Sequence, residues 1–297
     1  MPELPEVETV KRGLEPILLG QVIVAVELRR ANLRFPFPEG FAAKLAGAKI
    51  LSLRRRAKYI LVDLDNDHTL ISHLGMTGRF TALKPEGGGT NLGEFYFETA
   101  ATPSDDGSHD HVVFHLGNGV RMVYSDPRRF GMMDLAHTHA LSSHKLLKDI
   151  GIEPLGNELN AQYIADKFRG KSAPLKAALL DQRIIAGLGN IYVCEALHRA
   201  KLSPKRKAGS LIKSKSHVVR LDDLLRHIKD ILNEAILAGG STLQDFVSAD
   251  AEKGAHQQFF SAYDREGENC SNAGCGGQIR RIRQAGRSTF YCPTCQK

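Results

Sequence analysis

Val22, Val24, Val26 and Leu28 alternate with other residues at the two-residue period of a half-buried strand. They follow an acidic, proline-bearing opening whose residues from Glu6 to Leu14 read as a helix, since proline suits a first turn and carboxylates suit the positive end of the helix dipole. Lys49 to Leu64, Thr69 to Leu74, Glu94 to Glu98, Val112 to Leu116 and Val120 to Tyr124 are further strand candidates, broken by Gly- and Asp-containing turns. One of those turns, Gly117-Asn118-Gly119, has the composition of a hairpin. The first ~130 residues therefore predict a two-layer β-sandwich with flanking helices.

The pattern changes after Gly131. His137 to Ile150 is polar and histidine-rich, and Gly151-Ile152-Glu153-Pro154-Leu155-Gly156 has the composition of a linker. From there the period is helical: Leu221, Leu224, Leu225, Ile228, Ile231, Leu232, Ala235 and Ile236 make one apolar stripe, stopped by Gly239-Gly240. Ser241-Thr242-Leu243-Gln244 has capping-box spacing for a short helix. The last segment is short, basic and framed by cysteines. The predicted fold class is α+β, organised as a β-sandwich domain over 1–132, a linker over 133–156, a helical domain over 157–262 and a β-hairpin over 263–297.

Composition narrows the functional classes. Of 297 residues 42% are hydrophobic and 25% charged, which suits a globular chain with two cores. No apolar run approaches the ~20 residues of a membrane span, and the acidic start does not resemble a signal peptide, so a cytoplasmic protein is expected. The net charge of +7 favours a polyanionic partner. Positive charge gathers at Arg54-Arg55-Arg56-Ala57-Lys58, Arg128-Arg129, Lys201 to Lys207, and Arg280, Arg281, Arg283 and Arg287. From Cys270 onward there is no acidic residue, which is the footprint of a nucleic-acid-binding tail.

Cys270, Cys275, Cys292 and Cys295 form a Cys-x4-Cys…Cys-x2-Cys frame that fits one tetrahedral, structural zinc ion. Two disulfides are disfavoured in a cytoplasmic chain, and a redox pair by two spaced pairs around the hairpin-like Ile279 to Phe290. Cys194 lies in a helical pattern and reads as a small buried hydrophobe. Lys58 shares strand parity with the core-facing Ile60, Val62 and Leu64, which is uncommon for a lysine. Pro174 to Gln182 and then Arg183 to Tyr192 read as helix, glycine turns, helix; the second helix starts near Asn190, where free N–H groups can hold a phosphate. Pro2, once Met1 is removed, is a secondary amine. An α-amino group titrates near pH 8, so a useful fraction is uncharged and nucleophilic at neutral pH.

The opening Met1-Pro2-Glu3-Leu4-Pro5-Glu6, the strand lysine, the loops His73 to Gly78 and Asp126 to Gly131, the glycine turns and the zinc hairpin resemble the formamidopyrimidine-DNA glycosylase family, in that family's order along nearly the whole chain. The first cysteine pair departs from the family's usual Cys-x2-Cys by two residues. The resemblance implies that Pro2 is the nucleophile, Glu3 a catalytic acid, and Lys58 a sugar–phosphate contact with a role in β-elimination. Glu6 would help shape the site. It implies that Met76, Arg128 and Phe130 fill the void left by an extruded nucleotide, an apolar wedge plus a guanidinium for the orphaned base. His109-Asp110-His111, Lys171 and Asn190 fall where the family contacts the DNA backbone, and Arg287 where an arginine meets the phosphates beside the flipped nucleotide. Ser248 to Gly254 is similar to a lesion-covering loop, and Asp105 to Ser108 is longer than usual before His109.

The expected activity is that of a bifunctional glycosylase and abasic-site lyase. It would excise oxidised purines from damaged double-stranded DNA through a Pro2 Schiff base with β,δ-elimination. The expected protein is a bacterial, nucleoid-associated monomer with no obligate protein partner. An endonuclease VIII-type enzyme for oxidised pyrimidines is the nearest alternative, disfavoured by Leu4 and by the Arg128…Phe130 pair; a non-catalytic zinc-hairpin DNA binder is the alternative of another class.

Overall fold

The computed structural model describes residues 2–85, 89–92, 107–213, 215–240 and 260–297. Met1, the strand candidate Glu94 to Glu98, Asp105 and Asp106, the short helix expected after Ser241 and the loop Ser248 to Gly254 lie outside the described residues. The chain forms two compact units, Met1–Lys148 with Ala238–Ala255, and Asp149–Leu237 with His256–Lys297.

In the first unit helix α1 (Leu4–Leu18) presents Val7, Val10, Leu14 and Leu18 to the core, at helical spacing. The unit's strands are β1 (Ile23–Leu28), β2 (Ile50–Arg56), β3 (Tyr59–Leu64), β4 (His68–His73), β5 (Arg79–Leu83), β6 (Gly89–Leu92), β7 (Asp110–Leu116), β8 (Arg121–Ser125) and β9 (Met132–His137), with a short helix α2 (Phe41–Leu45) after β1. They make a five-stranded sheet in the order β1-β7-β8-β5-β6 and a four-stranded sheet in the order β2-β3-β4-β9. Every described pairing is antiparallel. One core joins α1, Leu53, Ile60 and Val62 from one sheet to Val112, Phe114, Met122 and Tyr124 from the other. The expected sandwich is present, and Gly117-Asn118-Gly119 is the β7–β8 hairpin.

Two details differ from the periodicity. Lys49 to Leu64 is a hairpin of two strands, with Ala57 at φ 53° in the turn beside Lys58. An Ala-Lys turn lacks the Asn-Gly or Asp-Gly chemistry that announces a hairpin. The strand signal also continues past Gly131, because β9 closes the four-stranded sheet against β4. Its sequence MMDLAH alternates poorly, and pairing rather than propensity makes it a strand.

The second unit is helical: α3 (Ala161–Phe168), α4 (Leu175–Leu179), α5 (Asn190–Arg199) and α6 (Lys215–Leu237). The stripe on α6 packs with Tyr192, Val193, Ala196 and Leu197 of α5 in one core. Arg199 and Glu234 pair at 2.7 Å between the same two helices. A two-stranded hairpin, β10 (Arg280–Gln284) with β11 (Arg287–Tyr291), carries its own small cluster of Ala262, Ile279, Phe290 and Cys292. Cys194 is buried in α5, as expected. Among the described residues no helix is long and apolar enough to cross a membrane.

Candidate functional site

The first unit collects its chemistry at the N-terminal end of α1. Glu3 is the N-cap and Glu6 the third residue of the first turn. The Glu3 side chain accepts the Glu6 backbone N–H, while Glu6 Oε2 accepts the Glu3 backbone N–H at 2.9 Å. This reciprocal capping box is normally opened by Ser or Thr. With Glu in that place it fixes two carboxyl groups, 4% and 2% exposed, immediately after the buried Pro2. Gly240, in the same unit, lies against Glu6: a Cβ there would sit 3.2 Å from Glu6 Cγ.

Lys58 is 6% exposed in the β2–β3 turn, and Ile60, Val62 and Leu64 on its parity are buried in the core. The sheet register sets Tyr59 opposite His73, their rings 5.0 Å apart. Burial first, and then the charges of Lys58 and Arg34, lower the His73 pKa to about 4. Its Nδ1 accepts the Gly75 N–H at 2.9 Å, which requires the neutral imidazole. His73 thus ties strand β3, through Tyr59, to the loop of Met76, a role that a single histidine at a strand end did not disclose.

The loops His73 to Gly78 and Asp126 to Gly131 meet through Asp126, which is fully buried. Its Oδ1 accepts Thr77 Oγ1–H at 2.5 Å and its Oδ2 accepts the Gly131 N–H at 2.7 Å. Thr77 Oγ1 in turn accepts the Arg128 N–H at 3.2 Å. The backbones are in contact: a Cβ on Gly75 would lie 2.3 Å from Gly131 N, and one on Gly131 1.8 Å from the Tyr124 hydroxyl. This clasp leaves Phe130 42% exposed, with the Arg128 guanidinium 4.8 Å over its ring, and Met76 half-buried on the adjoining loop.

His109 is partly exposed, and its carbonyl accepts the Asp126 N–H at 3.0 Å. His111 is different. It is 2% exposed in β7, its Nε2–H donates to the Asp126 carbonyl at 2.9 Å, and burial lowers its pKa. It supports the loop from inside and is neither a hydrated loop residue nor available to a backbone.

In the second unit Asn190 opens α5 after the glycine turns, as expected. Gln182 organises those turns, donating to the Leu180 and Leu188 carbonyls and accepting the Gly187 N–H. Asn190 Nδ2 donates to the Ser288 carbonyl at 3.0 Å, and its buried Oδ1 has no hydrogen-bond partner. Lys176, 1% exposed on α4, donates to the same carbonyl at 2.8 Å and to Thr289 Oγ1 at 2.6 Å. Arg287, the residue before Ser288, is exposed just after the turn of Ala285 and Gly286. Lys171 is partly exposed within the α3–α4 connection. Periodicity marked Lys176 only as a helix residue, so its burial comes from the hairpin.

Glu195, 2% exposed on α5, accepts three backbone N–H groups, from Ser261, Ala262 and Tyr263, at 2.9, 2.9 and 2.7 Å. Burial raises its pKa against the pull of those donors. The sulfurs of Cys270, Cys275, Cys292 and Cys295 all lie within 4.8 Å of one another, with Cys270–Cys295 at 3.7 Å and Cys275–Cys292 at 3.5 Å. A tetrahedral zinc with Zn–S bonds of about 2.3 Å separates its sulfurs by about 3.8 Å, so the four fit one structural ion.

A capped N-terminal carboxylate pair on a β-sandwich, a helix–turns–helix and a four-cysteine hairpin with the geometry of a zinc site follow one another along the chain. Three family models match in the same order. The Formamidopyrimidine-DNA glycosylase N-terminal domain matches residues 1–133, its H2TH domain 150–247, and the zinc finger found in FPG and IleRS 267–297. Formamidopyrimidine-DNA glycosylases of Methylobacterium nodulans and Rhizobium etli are 54% and 55% identical over all of this chain and 99% and 100% of their own lengths. A solved structure of a mutant Lactococcus lactis enzyme with Fapy-dG-containing DNA superposes with a TM-score of 0.82 at 33% identity, covering both chains fully. Another, of that enzyme bound non-covalently to DNA with an abasic site, gives 0.81 at 32%, again with full coverage of both. The chain belongs to the formamidopyrimidine-DNA glycosylase family.

Proposed function

We propose that this protein is a base-excision repair enzyme that removes oxidised purines, 8-oxoguanine and formamidopyrimidines, from duplex DNA and then cleaves the abasic strand. The observation that carries this reading is the reciprocal Glu3–Glu6 cap, which fixes two buried carboxyl groups in the first turn of the helix that directly follows Pro2. Proximity of that kind is what a nucleophile and its acid need.

Pro2 nitrogen attacks C1′ of the extruded nucleotide and the C1′–base bond breaks; the base leaves with the bonding pair and takes up the proton that the amine nitrogen sheds. Glu3 donates a proton to the ring oxygen, the sugar opens, and the nitrogen lone pair closes to an iminium. Its positive charge acidifies the C2′ proton, whose loss expels the 3′-phosphate; repetition of this elimination through the conjugated sugar expels the 5′-phosphate. Lys58 assists the first elimination, Arg287 the phosphates beside the flipped nucleotide, and Glu6 keeps Glu3 in place. Met76, Arg128 and Phe130 occupy the vacated stack. His109, Lys171 and Asn190 hold the backbone. The N-terminal sandwich is the catalytic domain, and the helical segment 157–262 and the hairpin 263–297 hold the DNA, with one structural zinc in the hairpin. The enzyme acts in the cytoplasm, at the nucleoid, as a monomer without an obligatory protein partner.

Because an amide nitrogen has no usable lone pair, the active form begins at Pro2. Borohydride added during turnover should cross-link that form to lesion DNA at Pro2, identified by mass spectrometry of the trapped peptide. Pro2→Gly should trap weakly and a Met1-retaining form not at all. An adduct on an internal lysine would overturn the mechanism.

A further inference from the structure

The residues around the four cysteines are not neutral packing. His198, 1% exposed near the C-terminal end of α5, places Nε2 at 3.2 Å from Cys270 Sγ. Asn272, one of the residues that lengthen the first cysteine pair, places Nδ2 at 3.4 Å from Cys295 Sγ and 3.2 Å from the His198 carbonyl. Asn272 Nδ2 also lies 3.2 Å from His198 Nε2, where the imidazole tautomer sets which atom donates. A zinc-bound cysteine is a thiolate and only accepts. With its proton on Nε2, the imidazole directs that proton at Cys270. His198 is not among the cluster of mutually close ligand atoms, which among the described residues holds the four cysteines.

We propose that His198 and Asn272 are positioning residues of the zinc site, each donating one N–H···S hydrogen bond to a different zinc-bound thiolate, Cys270 and Cys295. Four thiolates on one divalent cation leave two negative charges in excess, and donors drain charge from the sulfurs and hold them against protonation and loss of metal. The longer knuckle thereby has a purpose: it brings the Asn272 amide to sulfur and to the helix backbone at once. Helix α5 is then bolted to the C-terminal segment at three levels, by Asn190 to Ser288, by Glu195 to residues 261–263 and by His198 to the metal site.

The test is zinc transfer from zinc-loaded, full-length protein to excess EDTA, followed with a metallochromic indicator. His198→Phe, which keeps a buried ring without a donor, and Asn272→Ala should each release zinc about tenfold faster, while their far-ultraviolet circular dichroism before chelation matches wild type. His198→Gln, which retains an N–H, should recover part of the difference. Should His198→Phe not fold, Asn272→Ala carries the measurement by itself, because its side chain is only half-buried. A second readout is nitrogen-15 correlation spectroscopy of the cadmium-substituted protein. The His198 Nε2-bound proton should show scalar coupling to cadmium across the hydrogen bond. Release rates of Asn272→Ala indistinguishable from wild type, or a His198 proton found on Nδ1, would overturn the proposal.

Discussion

Asn190 and Ser288 are 98 residues apart in the chain, and the Asn190 side-chain N–H donates to the Ser288 carbonyl at 3.0 Å. The first residue of α5 is thereby fastened to the neighbour of Arg287. Lys176 donates to that same carbonyl, so the hairpin sits on two donors from two helices. Arg287 is then an exposed cation on a rigid support, which would lower the entropy lost in the phosphate contact proposed for it.

Arg287→Ala should keep its melting temperature and its zinc but bind duplex more weakly across all sequences, with a salt slope lower by about 1. Lys176→Met should instead lower the melting temperature, because it leaves buried acceptors short of a donor at a cost of about 1–3 kcal/mol. Salt titrations of binding read the first and calorimetry the second. Equal salt slopes for wild type and Arg287→Ala would remove the phosphate role.

The Asp126 clasp presents Phe130 and Met76 without placing them on the N-terminal amine's own helix. Phe130→Ala and Met76→Ala should therefore slow excision of a lesion base from paired duplex far more than cleavage at a pre-formed abasic site. Unstacking costs a few kcal/mol, equivalent to roughly a hundredfold in rate, and is least for an unpaired nucleotide. Single-turnover rates on the two substrates make the comparison. Equal slowing of both would mean that the two side chains are packing and not a wedge.

His73 gives the fold a pH dependence of known sign. Unfolded, it binds a proton near its ordinary 6.5; folded, only near 4. Between those values the unfolded chain holds more protons, so stability falls as pH falls, by at most about 1.4 kcal/mol per pH unit from this group. Protonation also turns Nδ1 into a donor facing the Gly75 N–H, which should loosen the Met76 loop first. Urea midpoints measured from neutral pH down to about 4.5 should decline less steeply in His73→Asn than in wild type. Parallel declines would assign the dependence to other groups.

The chain by itself determined its periodic and its closely spaced features. Alternation marked β1, β4, β7 and β8; the stripe from Leu221 to Ile236 marked α6; the spacing of Cys270, Cys275, Cys292 and Cys295 marked a metal site; and the opening residues carried the family. Each is a pattern contained within a few turns of chain, where burial of one face or chelation of one ion leaves a regular imprint. Only the tertiary structure decided which loops meet and which polar groups are buried. Thr77 reaches Asp126 over 49 positions, Lys176 reaches Ser288 over 112, and Glu195 collects its three amides 66 to 68 positions away. A side chain that satisfies a distant backbone group leaves no period and demands no composition nearby. Lys176 could therefore read as an ordinary helix lysine, and Asp126 as an ordinary loop acid, until the fold buried them both.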